Sequence, residues 1–276
     1  MDFSVLMTTY HGEKPEFLRA SLESVLVNQT VLPSQMVLVL DGEIGDELNR
    51  VVQEFESRFP SVLEVVRCPV NQGQSKASAE GMKFVKYDLV ARMDSDDISV
   101  PDRFEKQLAI FKENPSLSVV GGWIAEFEQN SDDADSVRIV PQFHEEITST
   151  FKKRMPINNV TAMIKKGAIE RAGGYGRDTV NEDYSLYVRM WVNGDTFYNV
   201  QETFVKVRTG NGMTARRSDY RIFRDWCKDQ KFLRQNKKQS RLTSFVSCAR
   251  VFVFVVLIPS RVKSFIYKKF LRKKSK

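Results

Sequence analysis

Three carboxylates, Asp94, Asp96 and Asp97, close an apolar segment that begins near Tyr87. Acids this close repel one another at neutral pH, so the cluster calls for a positive partner, most simply a hard divalent cation with oxygen ligands. The segment reads as a buried strand, and in open α/β sheets ligands bind at the carboxyl ends of strands. The spacing therefore suggests a metal site at a strand end, holding a ligand that carries phosphate. The competing reading is an Asp-rich turn that caps the next helix, because Ser99-Val-Pro-Asp-Arg103 looks like a helix start with Pro101 in its first turn.

The elements that present these acids alternate. Phe3 to Tyr10 reads as a buried strand ending in Thr8, Thr9 and Tyr10, and Pro15 to Val27 has apolar residues at helical spacing. Gln35 to Leu40 is a second buried strand with Asp41 at its carboxyl end, followed by a helix from about Asp46 to Phe59. Val62 to Arg67 is a third strand, a helix runs from the Asn71-Gln-Gly-Gln-Ser75 turn through Met82 and Val85, and the Asp94 strand follows. Strands separated by helices imply a mostly parallel sheet with helices on both faces. That order brings Thr9, Tyr10, Asp41 and the Asp94 cluster to one sheet edge, as a nucleotide-sized site. The simpler account of Asp41 is an Asp-Gly turn, and that of Tyr10 and His11 is loop packing.

The chain has 276 residues, 42% apolar and 28% charged, ordinary for a globular α/β protein. Cys68, Cys227 and Cys248 lie far apart, which argues for a reducing compartment and against a disulfide framework or zinc site. A strand begins almost at the first residue and Asp2 is acidic, so no signal peptide is expected and the reading is cytoplasmic. Net charge is unevenly divided: residues 216–276 carry 19 Lys and Arg against Asp219, Asp225 and Asp229, a net of +16, which leaves −9 of the total +7 to the rest. An acidic body with a basic end fits an anionic surface or nucleic acid. Among nucleotide signatures there is no Gly-x-Gly-x-x-Gly after the first strand and no Gly-x-x-x-x-Gly-Lys-Ser loop.

Four motifs taken together, Ser4-Val-Leu-Met-Thr-Thr-Tyr10, Val39-Leu-Asp-Gly42, Asn71-x-Gly73 with Gly81, and Arg92-Met-Asp-Ser-Asp-Asp-Ile98, resemble the inverting family 2 glycosyltransferases of the GT-A fold, in the type that serves bacterial polysaccharide biosynthesis. The resemblance implies that Asp41 binds the nucleotide base. It implies that Asp94, with Ser95, binds ribose, and that Asp96, with Asp94 and Asp97, holds Mn2+ or Mg2+ against the donor diphosphate. Thr9 and Tyr10 fall in the donor site, and Lys76 is in reach of a phosphate. Departures from the family pattern are Thr8 in place of proline, His11 in place of asparagine, and Ser78-Ala79 in place of an Arg-Asn pair.

The second half looks like the acceptor side. Leu117 to Phe127 alternates as a strand, Glu128 to Val137 reads as an exposed hairpin tip, and a helix around Lys166 to Ala172 is stopped by Gly173-Gly174. Tyr175 to Arg189 resembles the family's segment in which Glu-Asp opens a helix, which makes Asp183 the catalytic base with Glu182 as the alternate. Both acids also suit a helix N-terminus with no chemistry at all. Tyr187 and Trp191 either pack or flank the acceptor sugar. Two strands, Asp195 to Val200 and Phe204 to Arg208, precede a Gly-rich loop that closes with Arg216 and Arg217, in reach of a diphosphate. No Gln-x-x-Arg-Trp motif of processive synthases is present. The expected domains are a catalytic body over residues 1–215, with a nucleotide-sugar half to 98 and an acceptor half from 99, and a helical basic tail over 216–276.

In that tail the uninterrupted apolar run Val251 to Ile258 is eight residues, against about 20 for a spanning helix. Flanked by Arg and Lys, it reads as an interfacial helix on an anionic inner leaflet, the alternative being a helix packed on the body. The implied partners are a nucleotide-sugar donor, of which UDP is the commonest form in the family, and a saccharide or polyprenyl-diphosphate-linked acceptor. Nucleic acid is not expected, because the basic residues flank aliphatic ones and not stacking aromatics. A sugar nucleotidyltransferase or a non-catalytic binding protein remains as the rival class.

Overall fold

The computed structural model describes residues 1–134, 136–176, 179–209, 219–258 and 273–274. Arg216, Arg217 and most of the basic end lie outside the described residues.

Strands β1 (Phe3–Thr9), β2 (Gln35–Leu40), β3 (Leu63–Arg67) and β4 (Leu89–Asp94) pair in parallel in the order β3-β2-β1-β4. Helices α1 (Pro15–Leu26), α2 (Asp46–Arg58) and α3 (Gln74–Met82) connect them. β1 and β2 are covered on both faces and so are written as nearly unbroken apolar runs. Phe3, Val5 and Met7 of β1 point into one core with α1 and α2, whereas Leu6 points into a second core on the α3 side. Gly81 lets α3 approach that face, since a Cβ there would lie 2.5 Å from Leu6 Cδ1 and 2.6 Å from Val39 Cγ2.

Beyond β4 the sheet turns antiparallel through β8 (Met163–Lys165), β6 (Val119–Phe127) and β7 (Ser136–Arg138). Ser136 and Val137, expected in the exposed tip, belong to β7. The two strands expected between Asp195 and Arg208 are one, β9 (Phe197–Arg208), which pairs parallel with β6 across register shifts near Trp123. The helix expected from Ser99 begins later: Ile98–Ser99 form a short strand, β5, antiparallel to β9, and α4 spans Arg103–Glu113. The acid turn is therefore followed by a strand, and Asp94, Asp96 and Asp97 cap no helix.

The remaining helices are α5 (His144–Phe151), α6 (Lys166–Arg171), α7 (Glu182–Val192), α8 (Tyr220–Gln235) and α9 (Arg241–Phe252). α6 ends at Gly173 and Gly174, both at positive φ, whose N–H groups bond back to Glu170 and Ile169. α5 was not anticipated; its apolar pair Ile147 and Phe151 is too short a signal. α8, expected as the start of a tail, is built into the second core through Trp226 and Leu233. Among the described residues no helix is long and apolar enough to cross a membrane.

Candidate active site

A cleft of about 850 Å³ opens at the carboxyl ends of β1, β2 and β4, within the size range of small-ligand sites. Thr9, Tyr10, Asp41, Asp94, Ser95, Asp96 and Asp97 all line it, as do Glu13, Gln74 and Arg208. Lys76 is exposed on α3 and is not among the lining residues. Tyr10, 45% exposed, offers an open aromatic face at the rim, with its edge against His11.

Asp41 is held where β2 ends. Its two carboxylate oxygens accept the backbone N–H groups of Gln72 and Gly73, both at 2.8 Å, and its own N–H bonds to Thr9 O. Gly42 must be glycine twice over: φ is +85°, and a Cβ would lie 2.6 Å from Asn71 N. The Asp-Gly pair is thus a turn and a cleft wall at once, and it fixes the N-terminus of α3 beside the acids of β4.

The Asp94 carboxylate accepts from Gln74 Nε2 at 3.0 Å, and its backbone carbonyl is tied to Ser21 Oγ. Burial first, and then repulsion from Asp96 and Asp183 against the pull of Arg92, raise it to about 6. Asp97 is buried, accepts Arg208 N–H at 2.9 Å, and is pushed well above the usual carboxylate range by burial and by its two acidic neighbours. Ser95 Oγ donates to Glu13 Oε2 at 2.7 Å. Among the described residues no three His, Cys, Asp or Glu side chains converge as a complete metal cage. One or two carboxylates completed by phosphate oxygens is how Mg2+ is commonly held, and an all-oxygen set whose acids resist ionising together suits such a cation.

Glu182 and Asp183 open α7, and Asp183 Oδ1 accepts the N–H of Tyr184 at 2.7 Å. Burial raises both; Glu182, beside Asp183 and bonded to Ser75, reaches about 7. The charge of Asp183 raises Asp94, although Glu182 and Asp183 are not among the residues that line the cleft. Arg92 is 1% exposed, with its guanidinium 5.3 Å from the Tyr175 ring centroid. Arg92 donates to Leu6 O at 3.4 Å, and its charge favours the ionised forms of Asp94, Glu182 and Asp183. Tyr187 and Trp191 are packed inside the second core, Tyr187 Oη bonding to Asn159 and Trp191 stacking on Phe151, so of their two expected roles the structure supports packing.

Sequence reasoning missed Glu13, Gln74 and Arg208. Glu13 sits in a bend before α1 and Gln74 is the first residue of α3; both lie beside recognised residues and carry no pattern of their own. Arg208 reaches the cleft only because β9 pairs with β5 and β6, a long-range fact.

A nucleotide-sized acidic cleft at the switch from parallel to antiparallel strands defines a fold of the GT-A type. Its structural neighbours agree: S. aureus TarS 1–349 in complex with UDP-GlcNAc superposes with a TM-score of 0.68 at 19% identity, over 98% of this chain and 77% of that one. This chain spans 46% of the longer S. aureus TarS chain. The mannosyltransferase PcManGT from Pyrobaculum calidifontis, in complex with GDP-Man and Mn2+, superposes with a TM-score of 0.64 at 13% identity, over 92% and 70% of the two chains. Residues 4–173 match the glycosyl transferase family 2, and the chain belongs to that family. It is a glycosyltransferase. It is 39% identical over 99% of its length to the whole of an uncharacterized glycosyltransferase of Haemophilus influenzae. It is 32% identical, over 98% of this chain and 97% of the relative, to the UDP-Gal:alpha-D-GlcNAc-diphosphoundecaprenol beta-1,3-galactosyltransferase of Escherichia coli. Amylovoran biosynthesis glycosyltransferase AmsE of Erwinia amylovora is 30% identical over 97% of this chain and 98% of its own.

Proposed function

We propose that this glycosyltransferase moves one sugar, with inversion, from a UDP-linked donor to a hydroxyl of a saccharide carried on a polyprenyl diphosphate, in the synthesis of a cell-surface polysaccharide such as a capsule. The observation that carries the reading is the cleft at the carboxyl ends of β1, β2 and β4, lined by Thr9, Tyr10, Asp41 and the Asp94 cluster; the charge of Asp183, felt at Asp94, supports it as the general base. In a single displacement the acceptor oxygen bonds to the anomeric carbon as the bond from that carbon to the diphosphate breaks. The electron pair leaves on the diphosphate, and the hydroxyl proton passes to Asp183. Glu182, held near 7, is the alternate acceptor of that proton. Asp41 faces the base, and Thr9, Tyr10, Asp94 and Ser95 hold the nucleoside; Arg216 and Arg217, given to the phosphates from the sequence, lie outside the described residues. Mn2+ or Mg2+ held by Asp94 and Asp96, with Asp97 behind them, would supply charge against the leaving diphosphate.

The enzyme works at the inner face of the membrane, held by α9 and the basic residues after it. Leu242 and Phe245 of α9 are 72% and 71% exposed, with Val246, Val253 and Leu257 also open to solvent. Residues 259–276 add eight Lys and Arg and no acid. An apolar helix face beside positive charge suits an anionic leaflet, where a lipid-linked acceptor resides.

The deciding experiment is a panel of sugar nucleotides with Mn2+ or Mg2+, scored for nucleoside diphosphate release. Metal-dependent release from one donor, lost in Asp96→Ala and Asp183→Asn, is expected. Release of inorganic diphosphate would instead identify a nucleotidyltransferase.

A further inference from the structure

The cleft is an unfavourable place for a polyphosphate as it stands. Glu13, Asp41, Asp94, Asp96 and Asp97 line it, against the basic side chains of Lys14 and Arg208 among the described residues. Of these two, Arg208 is the one that is built in. It is the last residue of β9, and its backbone N–H is fixed on Asp97 Oδ1 at 2.9 Å. Its Nε donates to the Asp96 carbonyl at 3.4 Å. Its guanidinium carbon lies 3.8 Å from the Phe17 ring centroid and 4.7 Å from that of Phe127. Phe127 is fully buried and paired in register with Arg208, and Thr209 is bonded back to Phe127 O, so this aromatic support is rigid. Among the described residues the terminal Nη atoms have no hydrogen-bond acceptor. Lys14 rests on the same Phe17 ring at 4.8 Å but is exposed.

We infer that Arg208 is the preorganised anchor for the donor diphosphate, with Phe17 and Phe127 setting its plane; the inference rests on the nucleotide-sugar reading above. A guanidinium held against aromatic rings keeps its edge donors in one plane, the geometry that grips a phosphate through two parallel bonds. Arg208 lines a cleft in which carboxylates alone would repel the ligand. As the bond from the anomeric carbon breaks, charge grows on the diphosphate oxygen, and the same side chain meets it without moving.

The test is binding of nucleosides, nucleoside monophosphates and nucleoside diphosphates of uridine, guanosine, adenosine, cytidine and thymidine to the full chain, by calorimetry, with and without Mg2+. The variants are Arg208→Ala, Arg208→Lys and Phe17→Leu. Arg208→Ala is expected to weaken the preferred diphosphate roughly 10–100-fold, the monophosphate less and the nucleoside not at all. Arg208→Lys should recover part of the loss, and Phe17→Leu should weaken the diphosphate selectively by a smaller factor. Diphosphate affinity within twofold of wild type in Arg208→Ala overturns the inference and leaves the glycosyltransfer reading standing. An equal loss for nucleoside, monophosphate and diphosphate also overturns it, by assigning Arg208 a purely structural role in the acid turn. If the wild type binds none of the diphosphates, the nucleotide-sugar reading fails and this inference fails with it.

Discussion

Tyr184 stacks on Trp226 with ring centroids 4.4 Å apart and planes 21° from parallel. The contact joins the residue next to Asp183 to α8, and Gln230 reinforces it by donating to Tyr184 Oη at 2.6 Å. Asp225 accepts the N–H of Val180 and Asn181 donates to Ile222 O, so the approach to the acid pair is also held by α8. Trp226→Ala should cost about 3–5 kcal/mol of stability, as large-to-small changes of buried aromatics do. Trp226→Phe, which keeps a ring on Tyr184 but loses the bond from Nε1 to Ser247 Oγ and part of the indole volume, should cost less, about 1–2 kcal/mol. Chemical denaturation of the two variants measures the difference; equal small losses would mean that α8 is peripheral.

Asp183→Asn is isosteric and should retain donor affinity while lowering kcat by roughly 10²–10⁴, the usual weight of a general base. Comparing Glu182→Gln in the same assay assigns the proton acceptor, because the one with the larger loss at unchanged donor affinity is the base.

Asp41→Asn tests the turn that holds α3. Both carboxylate oxygens receive backbone N–H groups, and an amide offers one acceptor where two are needed. A stability loss of about 1–3 kcal/mol is expected, together with weaker nucleoside binding. Unchanged melting would show that the α3 N-terminus is held by other contacts.

Melting should fall as pH rises in the metal-free protein. Burial keeps Glu182 and Asp229 up at about 7 in the folded state, above their ordinary values. The folded chain therefore keeps protons that the unfolded chain releases. That contribution is complete below the unfolded values and is lost as pH climbs through about 7. Asp229→Asn stays neutral, so it should melt higher than wild type above that pH and lose the advantage in acid. Thermal scans across the range would refute this if wild type were the more stable in alkali.

Phe245→Glu combined with Leu242→Glu should lower co-sedimentation with anionic vesicles by at least about tenfold, from the apolar area lost. Activity on a water-soluble acceptor should not change. Retained vesicle binding would move the contact from α9 to the basic residues beyond it.

The cleft was legible in the sequence wherever a strand is buried on both faces and ends in a polar residue. β1, β2 and β4 are such strands, and Thr9, Asp41 and Asp94 mark their ends. What was hidden depends on pairing between distant segments. Ser99 looked like a helix start because Pro101 follows it, yet pairing with β9 holds it extended. α8 looked like tail because it is rich in Lys and Arg, but its buried stripe of Trp226, Gln230 and Leu233 decides its place. Arg208 carried no local signal, since its role comes from a neighbour in space.

The bond from Arg208 N–H to Asp97 spans 111 positions of the chain. At ribosomal speeds of about 5–20 residues per second, that separation is roughly 5–20 s of synthesis. Until β9 emerges, the acid turn lacks the strand that closes it, and the nascent chain exposes clustered carboxylates without their arginine. The cleft is thus completed only when nearly the whole body has been made, and a product interrupted before β9 lacks its closing strand.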